Sequence, residues 1–318
     1  MNINWATTAL LFPGQGSQQV GMGADLVANY PAAAQVFEAA DRILGIPFTK
    51  LMMEGSAETL DATLHTQPAL YIHGVAVWRA LESVLGTPIK PIVVAGHSLG
   101  ELTALTVAGA LSFEDGLHLV RCRAELMDDA GQKSKGAMAA LLGIDAAEVR
   151  ALCAEASDRI GQPVVLANDN CPGQIVISGD QTALELALTL AKERGVKRSV
   201  RLAVSIAAHS PLMQDAATTF SDVLKTIPFE SPSIPIIGNV NATPLPNPDA
   251  ILTELETQMV SPVCWTQSIE KMRSMGATTF LELGPKDVLT GLLRRIDKTA
   301  TGIAVNSAEV IDQLVGSN

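Results

Sequence analysis

Four apolar residues, Ile92-Val93-Val94-Ala95, run without a polar break into Gly96-His97-Ser98-Leu99-Gly100 and then into a helical stretch rich in Leu and Ala. An unbroken apolar run of this length reads as a strand buried on both faces, as in a parallel sheet covered by helices. Glycines at both ends of the five-residue turn indicate a bend too tight for flanking side chains. A strand, turn and helix of this kind hold a serine hydroxyl above a helix N-terminus, where the helix dipole favours negative charge. A bare G-x-S-x-G match also arises by chance in glycine-rich turns; the strand before it and the helix after it separate Ser98 from that reading.

The flanking segments keep the same alternation. Residues 9–12 read as a strand, 32–44 and 68–85 as helices and 92–95 as the next strand, the rhythm of a parallel sheet. Between about 133 and 204 the pattern changes to strands at 138–144, 164–167, 175–178 and 199–204, with helices from Ala146 and Thr182. That order, βαββαβ, is a ferredoxin-like split βαβ module inserted in a larger α/β unit. Residues 234–240 and 279–283 read as further strands, and the Pro-rich 243–248 as a loop. The domain division expected is 1–132 with 205–318 for the large subdomain and 133–204 for the small one.

Charge narrows the partners. A formal net charge of −11 argues against sequence-independent binding to nucleic acid or an anionic membrane. Residues 1–5 lack a charged segment followed by an apolar stretch, and nowhere do about 18 apolar residues follow one another, so a cytoplasmic protein is expected. Cys122, Cys153, Cys171 and Cys264 form no C-x-x-C pair, and no histidine stands at metal-ligand spacing. No metal site is expected.

A serine nucleophile needs a base. His97 is adjacent on a sharp turn and points away from its neighbour's hydroxyl, so it is given a packing role. His65, His73 and His118 fall inside helical patterns, as surface or core residues. His209 instead follows the apolar 202–208 and precedes Ser210-Pro211, in a turn where the chain returns from the insertion to the main domain.

Ser112 and Asp115 resemble a capping box opening a helix to about Asp129. On it Arg123 shares a stripe with Leu119, Val120, Leu126, Met127 and Ala130. A guanidinium on an apolar face is costly unless an anion or several acceptors meet it, so Arg123 needs a partner. An internal Asp or Glu would serve, and so would a substrate carboxylate gripped by two parallel hydrogen bonds. Nearer the start, Pro13-Gly14-Gln15-Gly16-Ser17-Gln18 follows a strand but lacks the last glycine of a dinucleotide fingerprint and the lysine of a phosphate loop. Such a turn can aim backbone N–H groups at one point, as an oxyanion hole requires.

Taken together, Pro-Gly-Gln-Gly-Ser-Gln at 13–18, Thr-Gln-Pro-Ala at 66–69, Gly-His-Ser-Leu-Gly-Glu at 96–101, Arg123, Pro-Gly-Gln-Ile-Val-Ile-Ser-Gly at 172–179, His209 with Ser-Pro-Leu-Met, Gln258 before Ser-Pro-Val-Cys-Trp, and Leu-Gly-Pro at 283–285 resemble the malonyl-CoA:acyl-carrier-protein transacylase family. The resemblance runs from Leu11 to about Ile303. It implies a hydrolase-like large subdomain with a mostly parallel sheet, a Ser98–His209 dyad oriented by the backbone carbonyl of Gln258, an oxyanion hole at the N–H groups of Gln15 and Leu99, a carboxylate clamp at Arg123, and Gln67 in the pocket. It also implies ping-pong transfer from malonyl-CoA, a coenzyme A thioester, to the phosphopantetheine thiol of an acyl carrier protein, with no bound cofactor and a monomeric enzyme.

The tetrad Ile206-Ala207-Ala208-His209 departs from the family's malonyl and methylmalonyl signatures, and its Ala207 and Ala208 are expected in the acyl pocket, where small side chains leave room for a branched group. Two other readings stand beside transfer. One is a serine thioesterase or esterase, which shares the elbow; the other is a non-catalytic subunit that docks a carrier protein.

Overall fold

The apolar runs form the centre of a five-stranded sheet in a computed structural model, which describes residues 3–204 and 206–316. Nine strands occur among these residues: β1 (Thr8–Phe12), β2 (Val93–Gly96), β3 (Gly136–Leu142), β4 (Val164–Cys171), β5 (Gln174–Asp180), β6 (Arg198–Arg201), β7 (Ile236–Ile237), β8 (Thr279–Leu283) and β9 (Thr301–Val305). The order β7-β2-β1-β8-β9 is parallel throughout. Alternate residues of β1 serve two cores: Leu10 and Phe12 face one apolar cluster, Ala9 and Leu11 another built around Trp265, Ile269 and Phe280. Burial on both faces explains why the strand has no polar alternation, and each fully buried leucine contributes about 1.5–3 kcal/mol.

Residues 136–201 form the second sheet, in the order β4-β5-β3-β6 and antiparallel throughout. Helices Ala146–Ile160 and Gln181–Glu193 bury Leu152, Cys153, Leu184 and Ala187 against it. This is the βαββαβ order expected from sequence. The expected boundary residue Ser205 lies outside the described residues.

Strand β4 ties the antiparallel sheet to the loop that precedes the Trp265–Ser274 helix. Asn168 of β4 forms a parallel bridge to Val263, Asp169 N–H donates to the Val263 carbonyl, and Val263 N–H donates to Ala167, both at 2.9 Å. The Thr266 hydroxyl and the Gln267 amide each donate to the Asp169 carboxylate at 3.0 Å.

Differences from the expected elements have local causes. The strand expected at 234–240 is two residues long, because after Ile237 the Gly238 N–H donates to Thr243 O and the chain turns out of the sheet. Pro248 opens a helix, Pro248–Gln258, with the Asn247 side chain as its cap, rather than ending a loop. The Thr63–Leu85 helix starts ahead of Pro68, and edge strand β9, half exposed, gave no apolar run. The Arg123 helix runs Phe113–Lys133, beyond the expected end at Asp129. No helix among the described residues is long and apolar enough to cross a membrane.

Candidate active site

Adjacent parallel strands place two turns side by side. Phe12 pairs with Gly96 in register, so the Pro13–Ser17 turn and the turn carrying Ser98 leave the same end of the sheet, where ligands of open α/β sheets bind. Steric contact explains both elbow glycines. A Cβ on Gly96 would stand 1.9 Å from the Gly100 carbonyl, and one on Gly100 2.0 Å from Phe12 O. Ser98 itself takes φ 51°, in the left-handed region, and so does His209 at φ 58°. For non-glycine residues that conformation costs on the order of 1–3 kcal/mol and persists only where surroundings enforce it. At Ser98 the Asn239 side chain does so: Oδ1 accepts from Ser98 N and Nδ2 donates to Gly96 O, both at 2.7 Å.

The Ser98 hydroxyl lies 2.8 Å from His209 Nε2. His209 Nδ1 faces two carbonyls, Gln258 O at 2.9 Å and Ser261 O at 3.1 Å. Carbonyls only accept, so Nδ1 carries the hydrogen and Nε2 presents a lone pair to the serine. Burial first, and then the charge of Arg123, press the imidazole from 6.5 down to about 3. It is therefore neutral at pH 7, the form a general base needs. The Ser210 hydroxyl, donating to Ala207 O at 2.7 Å, braces the turn.

Arg123, 2% exposed, reaches the same point. Nη1 donates to Gln67 Oε1 at 2.7 Å, and Nη2 to Gln258 Oε1 at 3.0 Å and to Ser98 Oγ at 3.1 Å. Its partners are neutral, and it forms no direct ion pair among the described residues. Burial lowers its pKa to about 10, opposed by the charge of Glu101, which leaves it cationic at neutral pH. Gln67 is steadied by Thr63, whose hydroxyl also donates to Gln15 Oε1 at 3.1 Å.

These groups surround a cavity of about 120 Å³. Gln15, Gln67, Ser98, Leu99, Arg123 and His209 line it, and the backbone N–H groups of Gln15 and Leu99 have no protein acceptor among the described residues. Its apolar wall comes from Met127, Met138, Leu202, Val204, Ile206 and Ala208. Ala208 thus stands where sequence placed it. Ala207 does not: its methyl group meets Gly136 at the start of β3, and Ile206 takes the expected place in the wall. His97 also touches the cavity, but its Nε2 is 2.8 Å from Asn170 Oδ1 and its ring meets the edge of Trp265. His65 bonds the Thr59 carbonyl, and His73 is buried with neither ring nitrogen partnered. Of the residues that hold the site, sequence reasoning missed Asn239 and Asn170. The only signal for Asn239 was its position next to a Gly in an apolar run.

Among the described residues no group of three or more His, Cys, Asp or Glu could hold a metal ion. The arrangement is a serine with a neutral base, converging donors and a cation beside the nucleophile, which suits acyl transfer on a carboxylate-bearing group.

Comparison with known proteins agrees with this chemistry. The family model described as "Acyl transferase domain" matches residues 9–314. The malonyl CoA-acyl carrier protein transacylase of Bacillus subtilis is 44% identical over 304 residues, covering 96% of this chain and 95% of that protein. Its Escherichia coli K12 counterpart is 42% identical, covering 94% and 95%. The crystal structure of an acyl carrier protein S-malonyltransferase from Vibrio cholerae superposes with a TM-score of 0.93 at 42% identity, covering 97% of this chain and 99% of that one. A malonyl-transacylase solved in complex with a type II polyketide acyl carrier protein gives 0.93 at 38% identity, covering 98% and 99%.

Proposed function

The chain belongs to the acyl transferase family of malonyl-CoA:acyl-carrier-protein transacylases, and we infer that it moves a malonyl group from coenzyme A to the phosphopantetheine thiol of an acyl carrier protein through an ester on Ser98. The observation that carries this reading is Arg123: a buried cation 3.1 Å from the nucleophile, hydrogen-bonded to neutral oxygens and in no direct ion pair among the described residues, so that its fork can meet a substrate carboxylate. An acyl group without a free carboxylate has no use for such a cation.

In the first half-reaction His209 Nε2 takes the Ser98 proton as Oγ attacks the thioester carbonyl. The developing oxyanion faces the N–H groups of Gln15 and Leu99. As the C–S bond breaks, His209 returns the proton to the coenzyme A sulfur. In the second half the carrier thiol gives its proton to His209, its sulfur attacks the ester, and Ser98 leaves with that proton. The carbonyls of Gln258 and Ser261 hold the imidazole and favour its transient positive charge. The apolar wall offers a stray water few hydrogen-bonding partners, which supports transfer over hydrolysis. No cofactor takes part in these steps.

Ile206 in the wall narrows the space that Ala208 leaves, which supports malonyl over a branched extender. We read residues 1–132 with 205–318 as the large subdomain, 133–204 as the small one, and the cytoplasm as the compartment.

Brief exposure to malonyl-CoA adds one malonyl group by mass spectrometry, and Ser98→Ala shows none. Release of free malonate at one rate with and without carrier protein would make the enzyme a hydrolase.

A further inference from the structure

Two carboxyl groups that do not line the cavity are buried together beneath the elbow. Glu101, in the first turn of the Gly100–Val107 helix, is fully buried, and Glu254, on the Pro248–Gln258 helix, nearly so. Glu254 stands one helical turn before Gln258, whose side-chain amide meets Glu101, so the two carboxyls occupy one buried site and act on each other electrostatically. Glu254 Oε1 accepts from Val240 N at 2.7 Å, and Glu101 Oε2 accepts from the Gln258 side-chain amide. Glu101 Oε1 meets no donor among the described residues. The space is shaped for this: a Cβ on Gly238 would stand 2.8 Å from the Glu254 carboxyl carbon.

We propose that Glu101 and Glu254 share one proton and, as a single anion, position the Arg123 guanidinium through the Gln258 side chain. Two carboxylates side by side in a dry site cannot both stay ionised, because they repel and each has lost its hydration. One proton between them supplies the donor that Glu101 Oε1 lacks and leaves a charge of −1. The groups facing the pair are Arg123, the Gln258 amide and the N–H groups of Asn239 and Val240, with the neutral Cys264 thiol near Glu254. The cation and the paired anion sum to zero. Burial first, then the other carboxyl, raise Glu101 well above the usual range, and burial raises Glu254 as well.

The anion also orients an amide. Gln258 Nε2 donates to Glu101 and to Ser98 O, which turns Oε1 toward Arg123. Were Glu101 to present a hydroxyl to Gln258, the amide could reverse and point its NH₂ group at the guanidinium. The carbonyl of the same residue orients His209, so Gln258 joins the pair to both the base and the clamp.

This inference rests on the malonyl-transfer reading, so the test begins with the unmodified enzyme, whose lack of malonyl transfer would fail that reading alone. Given an active parent, kcat/KM is measured against pH for malonyl- and acetyl-CoA in Glu101→Gln, Glu254→Gln and the double variant. Each single keeps malonyl transfer within about threefold, since an amide permanently supplies the shared hydrogen while one anion remains. The double loses more than about thirtyfold, with acetyl transfer falling less, because a buried cation is left without its anion. At alkaline pH, below the range near 10 in which Arg123 itself loses its charge, the parent loses malonyl preference as the shared proton leaves; Glu254→Gln has no such proton and lacks that limb. A double variant equal to the product of its singles, or a parental alkaline limb in Glu254→Gln, overturns the proposal. If the double does not fold, the pH comparison decides.

Discussion

The turns at the ends of β1 and β2 and the strands of the antiparallel sheet face one cavity, but they bring different kinds of group to it. On the parallel-sheet side each reactive side chain is held by named partners: Ser98 by His209 and Asn239, Arg123 by Gln67 and Gln258, His209 by two carbonyls. Two of these residues sit in left-handed backbone conformations that only a fully bonded surround maintains. On the other side Met138, Asn168, Leu202 and Val204 supply mostly apolar surface. The contrast teaches a division of labour. Bond making needs atoms fixed to a fraction of an ångström, whereas an acyl chain needs only a wall of the right shape.

The sharpest way to break the comparison is Arg123→Ala. Malonyl transfer falls by about 10²–10³ in kcat/KM while acetyl transfer falls less than about tenfold, because the unpaired carboxylate, not the thioester, loses its partner. Equal loss on both substrates would make Arg123 a structural cation. Next comes Asn239→Ala, which leaves Ser98 N–H and Gly96 O unpaired. It lowers stability by about 1–3 kcal/mol in urea unfolding and slows acylation of Ser98 by about tenfold in rapid-mixing kinetics. An elbow that acylates at the parental rate would show that the turn holds its strain without that side chain. The smallest effect belongs to the other side. Met138→Ala raises the ratio of methylmalonyl to malonyl transfer a few-fold and leaves malonyl acylation within about threefold, at a cost of about 2 kcal/mol or more in stability. A collapse of malonyl acylation there would mean that the antiparallel sheet takes part in the chemistry.

The elbow was legible because it is local. Its strand, its glycines and its serine are contiguous, and the constraint on each glycine, a carbonyl about 2 Å from any Cβ, acts within one turn or across one strand pair. The split βαβ order was legible for the same reason, since each strand and helix announces itself by its own periodicity. Arg123 could be marked as needing a partner from the helix stripe alone, although not which partner. The early end of strand β7 and the role of Asn239 were hidden because the run 234–240, read as one strand, does not say where the chain leaves the sheet. Ala207 was misplaced because consecutive residues near a turn face opposite ways, and only packing chooses which one faces the cavity.

The sequence by itself determined the layered α/β class, the serine on its elbow and the cation on an apolar face. All three follow from steric and solvation rules that act over a few residues. Tertiary structure alone decided how residues up to 160 positions apart meet at Ser98: Gln67 and Gln258 on either side of Arg123, Asn239 under the turn, and Glu254 against Glu101. Those contacts join helices and loops that share no local pattern. Their energy comes from buried polar groups finding their only partners, and that pairing exists only once the chain has closed around it.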